Sequence, residues 1–146
     1  MIEYRIGDAT DQASGIIAHV VNDVGAWGAG FSGAVGRRFP VAERSYRDCF
    51  LDRGGVRLGN VAICEIKRGL RIAHLFAQHG IGRGQRRVDY DALALCLQGL
   101  NSVAGNAGIH MPRIGTGYGG GNWDTISALI EGNIESPVFV YDLEKK

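Results

Sequence analysis

The chain has 146 residues, of which 45% are hydrophobic and 21% charged, and its formal net charge is +1. This length is enough for one domain with a sizeable core, and so small a net charge gives no bulk attraction to nucleic acid or membranes. No apolar run is long enough to span a bilayer, and no signal-peptide pattern is present. The chain has three cysteines without a CxxC pair, which predicts free thiols in a reducing cytoplasm.

Strand and helix patterns alternate along the chain, with no linker or internal repeat, so residues 1–146 are expected to form a single domain. In chain order the sequence predicts strands at 2–6 and 15–21, helices at 31–39 and 40–51, strands at 60–66 and 71–77, a helix at 88–104, a strand at 109–114, a helix capped by Asn122, and a strand at 137–143. This alternation is typical of the α/β class, a mixed sheet with helices on its faces.

Two glycine-rich loops each follow a strand pattern and precede a helix. The first is NDVGAWGAG, residues 22–30, and the second lies within RIGTGYGGGNWDT, residues 113–125. Ligands of open α/β sheets lie beyond the carboxyl ends of the strands, and helix N-termini supply free N–H groups for phosphate. Two such loops side by side favour a diphosphate site, whereas the alternative is that the glycines only permit tight turns.

The string GTGYGG also matches the G-x-G-x-x-G pattern of dinucleotide-binding folds, but this match is weak. The Rossmann unit needs an acidic residue about 20 positions later and further βα units, whereas only 26 residues follow Gly120. The chain also lacks the GK[ST] motif, which excludes a P-loop.

The longer motifs resemble those of macrodomains, the ADP-ribose-binding fold. They are GDAT (7–10), IIAHVVNDVGAWGAGFSGAV (16–35), MPRIGTGYGGGNWDTISALIE (111–131) and VFVYDL (138–143), and they extend over essentially the whole chain. The third motif is most similar to the branch of the terminal ADP-ribose protein glycohydrolase and its bacterial relatives, and residues 27–46 are similar to yeast-type ADP-ribose 1''-phosphate phosphatases. The resemblance implies a three-layer α/β/α sandwich with a central mixed sheet of about six strands.

The resemblance also implies an ADP-ribose site. Asp8 matches the aspartate that accepts a hydrogen bond from the adenine amino group, and Tyr141 matches an aromatic position that packs on adenine. The first loop would wrap the diphosphate and the distal ribose, and the second would bind the diphosphate through backbone N–H groups. The implied ligand-binding residues are Asp8, Ala9, His19, Asn22, Gly28, Ala29, Gly30, Phe31, Arg113, Gly115, Thr116, Gly117, Tyr118, Gly119, Gly120 and Tyr141.

Two positions depart from the glycohydrolase branch. The lysine of that branch falls on Gln78, and the aspartate of its second loop falls on Gly119. A glutamine cannot attack the opened ribose aldehyde as an amine does. Any hydrolysis by this chain is therefore expected to use a bound water as the nucleophile.

Four side chains are catalytic candidates near the distal ribose: Asn22, Asp23, Gln78 and His79. Asp23 can act as a general base on a water, or it can simply bond to backbone N–H groups of its own turn. Asn22 and Gln78 can position that water, and His79 can shuttle a proton. The other three histidines lie in or beside strands, where structural roles are expected, and Trp27 either walls the ribose pocket or anchors the loop.

These observations predict an ADP-ribosyl hydrolase that removes mono-ADP-ribose ester-linked to aspartate or glutamate of modified proteins. The alternatives are a non-catalytic ADP-ribose-binding reader and an ADP-ribose 1''-phosphate phosphatase. Since there is no HExxH motif and no Cys/His cluster, we expect no metal, and no cofactor is expected. The expected partners are ADP-ribose and ADP-ribosylated proteins, with ADP-ribosylated nucleic acid less favoured, and the protein is expected to be a cytoplasmic monomer without membrane association.

Overall fold

The computed structural model describes residues 1–28, 30–82 and 84–145. In chain order its elements are β1 (Ile2–Ile6), β2 (Gly15–Asn22), α1 (Gly30–Arg38), α2 (Pro40–Asp48), a 3-10 turn (Cys49–Leu51), β3 (Val61–Lys67), β4 (Leu70–Gln78), α3 (Tyr90–Ala104), β5 (Ile109–Met111), α4 (Trp123–Asn133) and β6 (Val138–Asp142). The strands form one six-stranded sheet in the order β1-β6-β5-β2-β4-β3.

The sheet is mixed, as predicted. Four neighbouring pairs are parallel: β1 with β6, β6 with β5, β5 with β2, and β2 with β4. The edge strand β3 pairs antiparallel with β4. The inner strands β2 and β4 are continuous apolar runs, which is typical of parallel strands covered on both faces. The edge strand β3 alternates instead between exposed and partly buried residues. The α/β class is thereby confirmed.

Helices cover both faces of the sheet. Ile16 and Ala18 of β2 pack in one cluster with apolar residues of α3 and α4. Ile17 lies on the opposite face, in a cluster with Val35 of α1 and Ala42 of α2. Because side chains alternate across a strand, this division gives the three-layer α/β/α sandwich that the resemblance implied.

The helix and strand ends differ from the predictions by a few residues, for local reasons. Helix α3 begins at Tyr90 rather than at 88, because the side chain of Asp89 caps it by accepting a hydrogen bond from the Ala92 N–H at 2.9 Å. Strand β5 ends at Met111 rather than at 114, since Pro112 has no N–H to donate. The predicted helix at 40–51 ends at Asp48, and its last turn is 3-10. Helix α1 begins at Gly30 rather than at 31.

The parallel strands bring five carboxyl ends to one edge of the sheet, where ligands of α/β proteins bind. The residues at that edge are Ile6, Asn22, Gln78, Met111 and Asp142. Among the described residues, no helix is both long and apolar enough to cross a membrane. The cysteines Cys49, Cys64 and Cys96 are free thiols.

Candidate functional site

A cavity of about 510 Å³ opens at this edge of the sheet. One wall is formed by Ala26, Trp27 and Gly28 of the first loop, together with the start of α1. The other wall is the second loop, residues 112–122, and the carboxyl end of β6 supplies one end. Both glycine-rich loops of the sequence therefore face the same space.

Asn22, at the end of β2, holds the first loop in shape. Its Oδ1 accepts hydrogen bonds from the N–H groups of Val24 and Ala26, both at 3.1 Å, and from the Tyr46 hydroxyl at 2.8 Å. Its Nδ2 donates to the Ala26 carbonyl at 2.7 Å. Burial raises the pKa of Tyr46 to about 12, so this hydroxyl keeps its proton to donate. Both polar atoms of the Asn22 amide are therefore hydrogen-bonded within the first loop or to Tyr46, although the residue also lines the cavity.

Trp27 both walls the cavity and anchors the first loop. Its ring lies 5.4 Å from the His19 ring and 5.2 Å from the Tyr46 ring, measured between centroids. It also lines the cavity. The two roles that the sequence left open for this residue are therefore compatible.

The second loop has a compact base and an open tip. Gly115 and Gly120 have φ values of +75° and +68°, which favour glycine. The Gly119 carbonyl accepts hydrogen bonds from the N–H groups of Arg87 and Val88 at 2.8 and 3.0 Å. At Gly117, by contrast, an added Cβ would meet no atom within 4 Å. The loop is thus fixed at its base, and its tip can approach a ligand closely.

No side chain fits at position 119. A Cβ there would lie 2.6 Å from the Gly115 carbonyl oxygen, a separation that real Cβ atoms do not show. The aspartate of the glycohydrolase branch therefore cannot be accommodated by this loop as it is folded. The turn requires glycine at this position, so the absence of a carboxylate follows from the fold of the loop.

Gln78, at the end of β4, lines the cavity beside the first loop. It pairs with Asn22 across the two parallel strands. Its Nε2 donates to the Gly80 carbonyl at 3.2 Å. A glutamine carries both donors and acceptors, so this residue can hold a water molecule in the cavity.

Asp23 and His79 form a pair outside the cavity lining. The Asp23 Oδ2 lies 2.7 Å from the His79 Nδ1, and its Oδ1 accepts from the Gly80 N–H at 2.8 Å. Partial burial raises the pKa of the Asp23 carboxyl, but the hydrogen bonds from Gly80 and His79 outweigh it, so the net pKa is lowered. Both carboxylate oxygens are thus engaged in tying the first loop to the segment after β4, and the His79 side chain is 75% exposed.

The end of the cavity at the carboxyl end of β6 is lined by polar and aromatic residues. Arg113 lines it and forms a two-pronged ion pair with Asp142, at 2.8 and 3.0 Å. Tyr141 also lines it, and its hydroxyl lies 2.8 Å from the His110 Nδ1. Asp8 sits in the turn after β1, where its Oδ1 accepts from the N–H and hydroxyl of Thr10.

The cavity brings together most of the residues that the sequence singled out. Those that line it are His19, Asn22, Gly28, Gly30, Phe31, Gln78, Arg113, Gly115, Thr116, Gly117, Tyr118, Gly119 and Tyr141. Five described residues lie outside the lining: Asp8, Ala9, Asp23, His79 and Gly120. Ala29 falls outside the described residues. Within those residues, no group of three or more His, Cys, Asp or Glu side chains is arranged to hold a metal ion.

Sequence reasoning missed several lining residues, including Ser32, Ile81, Gly82 and Asp142. Ser32 lies two residues after the first glycine loop, and Asp142 ends the last strand, so their places in the sequence could have identified both as candidates. Ile81 and Gly82 follow β4, and only the pairing of β4 with β2 brings that segment to the cavity.

Comparisons with known proteins agree with this geometry. A macrodomain protein from Streptomyces coelicolor is 36% identical, with a TM-score of 0.81 over 97% of this chain and 99% of that one. A protein of unknown function from Bacteroides thetaiotaomicron is 35% identical, with a TM-score of 0.90 over 98% of each chain. No protein-family model matches the chain.

Two further similarities are more distant. An ADP-ribose 1''-phosphate phosphatase from Lodderomyces elongisporus is 26% identical over 140 residues, 87% of each chain. Thermosipho africanus DarTG, solved in complex with ADP-ribose, has a TM-score of 0.75 at 17% identity, over 99% of this chain and 42% of that one. The second likeness concerns the fold alone. Because the Streptomyces macrodomain protein is 36% identical over 97% of this chain, the chain belongs to the macrodomain family.

Proposed function

We propose that this macrodomain binds ADP-ribose in the cavity and hydrolyses the ester that links mono-ADP-ribose to aspartate or glutamate of modified proteins. The observation that carries the proposal is one cavity that both glycine loops wall and that Gln78 lines. The sequence resemblance aligns Gln78 with the lysine of the glycohydrolase branch. The DarTG structure of the same fold contains ADP-ribose, which supports that ligand class.

The two loops suit a diphosphate for physical reasons. Helix α1 begins at Gly30, and the first N–H groups of a helix have no partner within it. Those groups and the helix dipole favour an anion. The open tip of the second loop, at Gly117, lets backbone approach the same anion from the other side.

The chemistry we propose uses a water molecule as nucleophile. Gln78 holds that water against the ribose. Binding of the diphosphate fixes the position of the ribose and therefore the distance between the ribose and the water. The leaving group is a carboxylate, which departs without a strong acid, so an acyl ester can be cleaved with modest catalytic groups. The water oxygen bonds to C1'' of the distal ribose as the bond from C1'' to the ester oxygen breaks. The products are free ADP-ribose, the carboxylate of the target and one proton released to solvent.

One specific observation favours a second candidate, hydrolysis of ADP-ribose 1''-phosphate. The phosphatase from Lodderomyces elongisporus is similar to this chain over 87% of its length. A non-catalytic reader is the third candidate, because both oxygens of Asp23, the carboxylate of the first loop, are engaged by His79 and Gly80.

Three assays with one enzyme preparation separate these functions. The first follows labelled ADP-ribose on a protein that is mono-ADP-ribosylated on glutamate and aspartate. The second follows inorganic phosphate from ADP-ribose 1''-phosphate, and the third measures ADP-ribose binding by calorimetry. Release of free ADP-ribose in the first assay supports the proposal. Phosphate release alone supports the phosphatase, and binding without either release supports the reader.

A further inference from the structure

A second cavity, of about 570 Å³, adjoins the site already described. Gly117 and Tyr118 line both cavities, so the two spaces meet at the tip of the second loop. The other described residues that line the second cavity are Gly84, Gln85, Arg86 and Gly120. Within this described lining, Arg86 is the only charged residue. The second cavity is therefore a cationic space directly beside the first.

An aromatic ring restrains the guanidinium of Arg86. The central carbon of that group lies 4.2 Å from the centroid of the Tyr90 ring, within the range of cation–π attraction. The Tyr90 hydroxyl in turn accepts a hydrogen bond from the Asn122 N–H at 3.0 Å, which holds the ring against the cap of α4. Arg86 is nonetheless exposed to solvent. It therefore presents a restrained positive charge that a partner can reach.

The backbone around Arg86 is joined to the second loop. The N–H groups of Arg87 and Val88 both donate to the Gly119 carbonyl. A Cβ on Gly120 would lie 3.3 Å from the Arg86 Cα, so the two backbones are in close contact. The loop that is expected to hold the diphosphate and the segment that carries Arg86 therefore form one unit, and backbone contacts fix the place of this charge relative to the ligand.

The order of the strands separates the two ends of the ligand. Tyr141, expected to pack on adenine, lies on β6, whereas Gln78 ends β4. Since β5 and β2 lie between these strands, the two positions are three strand spacings apart, about 14 Å. The segment after β4 lines the first cavity at Ile81 and Gly82 and the second at Arg86. Placing the distal ribose at Gln78 rests on the proposed function, and it puts the reacting end of the ligand on the side of the second cavity.

We propose that the second cavity receives the part of the modified protein next to its ADP-ribosylated side chain, and that Arg86 selects acidic residues there. The target chain is joined to the distal ribose, so it leaves the first cavity on the side of the second. An arginine guanidinium binds carboxylates through charge-assisted hydrogen bonds. A neighbouring aspartate or glutamate of the target is therefore attracted to Arg86, whereas a lysine at the same place is repelled.

The charges around Arg86 favour a short acidic peptide over a nucleic acid. A third cavity, which Arg86 also lines, contains the carboxylates Asp89 and Asp91 as well as Arg87. A nucleic acid carries one phosphate at every nucleotide, and its affinity comes from neutralising several of them. Its backbone would meet these carboxylates beside Arg86, and the chain as a whole has a net charge of only +1. A peptide with one or two carboxylates needs a single guanidinium.

Calorimetry at low ionic strength with three ligands tests this inference. One ligand is free ADP-ribose, and two are peptides that carry ADP-ribose through an amide, which keeps the shape of the ester and resists hydrolysis. The acidic peptide has aspartate and glutamate beside the modified position, and the neutral peptide has asparagine and glutamine. We expect wild-type protein to bind the acidic peptide about 3- to 5-fold more tightly, the range for an exposed ion pair. Added salt should remove the difference.

Two variants assign the preference to one side chain. Arg86→Ala should bind both peptides equally and free ADP-ribose within about twofold of wild type, because Arg86 does not line the first cavity. The matched control is Arg68→Ala, at an exposed arginine in the turn between β3 and β4, at the opposite end of β4 from the cavities. This control should keep the preference for the acidic peptide.

The outcomes separate this inference from the proposed function. Equal affinity of wild-type protein for both peptides, or an unchanged preference in Arg86→Ala, overturns the inference while ADP-ribose binding stands. Tighter binding of an ADP-ribosylated oligonucleotide than of the acidic peptide, lost in Arg86→Ala, would assign the second cavity to nucleic acid and would also overturn it. Failure to bind any of the ligands contradicts the proposed function and the inference with it. Since no ligand is cleaved, absence of hydrolysis does not affect the result.

Discussion

The carbonyl oxygen of Gly115 lies 2.6 Å from the point where a Cβ on residue 119 would stand. This contact makes the base of the second loop a backbone-only turn, in which Gly121 also donates its N–H to the same carbonyl at 2.8 Å. A loop folded in this way cannot carry the aspartate of the glycohydrolase branch.

Replacing Gly119 by aspartate should damage the loop and should not create a glycohydrolase site. The new Cβ forces the backbone apart, at a cost of about 1–3 kcal/mol of unfolding free energy, as for other overpacked sites. Urea unfolding measures that cost, and calorimetry measures the accompanying loss of ADP-ribose affinity. Gly117→Ala is the matched control, since its Cβ meets no atom within 4 Å. Equal stability of Gly119→Asp and wild type would contradict this description of the turn.

Replacing Gly117 by glutamate should abolish ADP-ribose binding and leave the fold intact. The side chain has room to enter the cavity, where its charge repels the diphosphate. Calorimetry with ADP-ribose measures the effect, and circular dichroism confirms folding. Gly132→Glu, at an equally open position on α4 outside the cavity lining, is the control for added charge. Unchanged affinity in Gly117→Glu would mean that the second loop does not hold the phosphates.

The sequence was informative about the elements and the two loops because both depend on local patterns. Apolar runs predict buried strands, and dense glycine before a helix cap predicts a loop that approaches a ligand. Side-chain roles within the site were harder to predict. Asn22 is held by Tyr46 from α2, and Asp23 is held by residues that follow β4. Those partners are distant in the chain and meet only through the packing of the sheet.

Replacing Asp8 by alanine should weaken ADP-ribose binding by about 1–3 kcal/mol, the usual contribution of a hydrogen bond to a charged group. Its Oδ1 is engaged by Thr10, so the contact with the adenine amino group would be made by Oδ2. Calorimetry with ADP-ribose measures the loss, and ribose 5-phosphate, which has no adenine, serves as the control ligand. The same affinity for ADP-ribose in variant and wild type would remove Asp8 from the site.

Replacing Asp23 by asparagine should leave the release of ADP-ribose within about threefold of wild type, well short of the 100-fold or greater effect of a lost general base. The carboxylate anchors the loop to His79 and Gly80 and does not line the cavity. An asparagine oxygen can still accept from the Gly80 N–H. Initial rates under single-turnover conditions measure the effect. A loss of 100-fold would instead identify Asp23 as the base.

Stability should fall as the pH drops from about 6.5 to about 4. The pKa of His74 is about 4 in the folded protein and 6.5 in the unfolded chain, so the unfolded state binds more protons within this window. Protonation therefore favours unfolding there, by up to about 3 kcal/mol from His74 alone. The carboxyl pKa values of Asp23 and Asp142 are lowered from 3.8, so the stability that these two groups contribute is lost only at more acid pH.

Urea midpoints measured from pH 7.5 to 4 test this prediction. The variant His74→Gln should be less stable at neutral pH, because the hydrogen bonds of the His74 ring with His19 and Ser45 are lost, and should lose less stability on acidification. A wild-type midpoint that stays constant across the window would contradict the burial of two neutral histidines.

The contact between His19 and His74, whose ring nitrogens lie 2.7 Å apart, also shows the limit of sequence reasoning. The sequence predicted structural roles for both residues, and for His19 a contact with the ligand as well; the structure buries both. Their contact depends on the register between β2 and β4. No local pattern specifies that register, because α1, α2 and β3 separate the two parallel strands in the chain.

The proposed function requires this cavity to hydrolyse ADP-ribosyl esters without a catalytic lysine. The decisive experiment follows the release of labelled ADP-ribose from a protein mono-ADP-ribosylated on glutamate and aspartate, with Gly117→Glu as the blocked variant. We expect free ADP-ribose with wild-type protein and none above background with the variant. Label that stays on the target at high concentrations of a wild-type protein that binds ADP-ribose would contradict it.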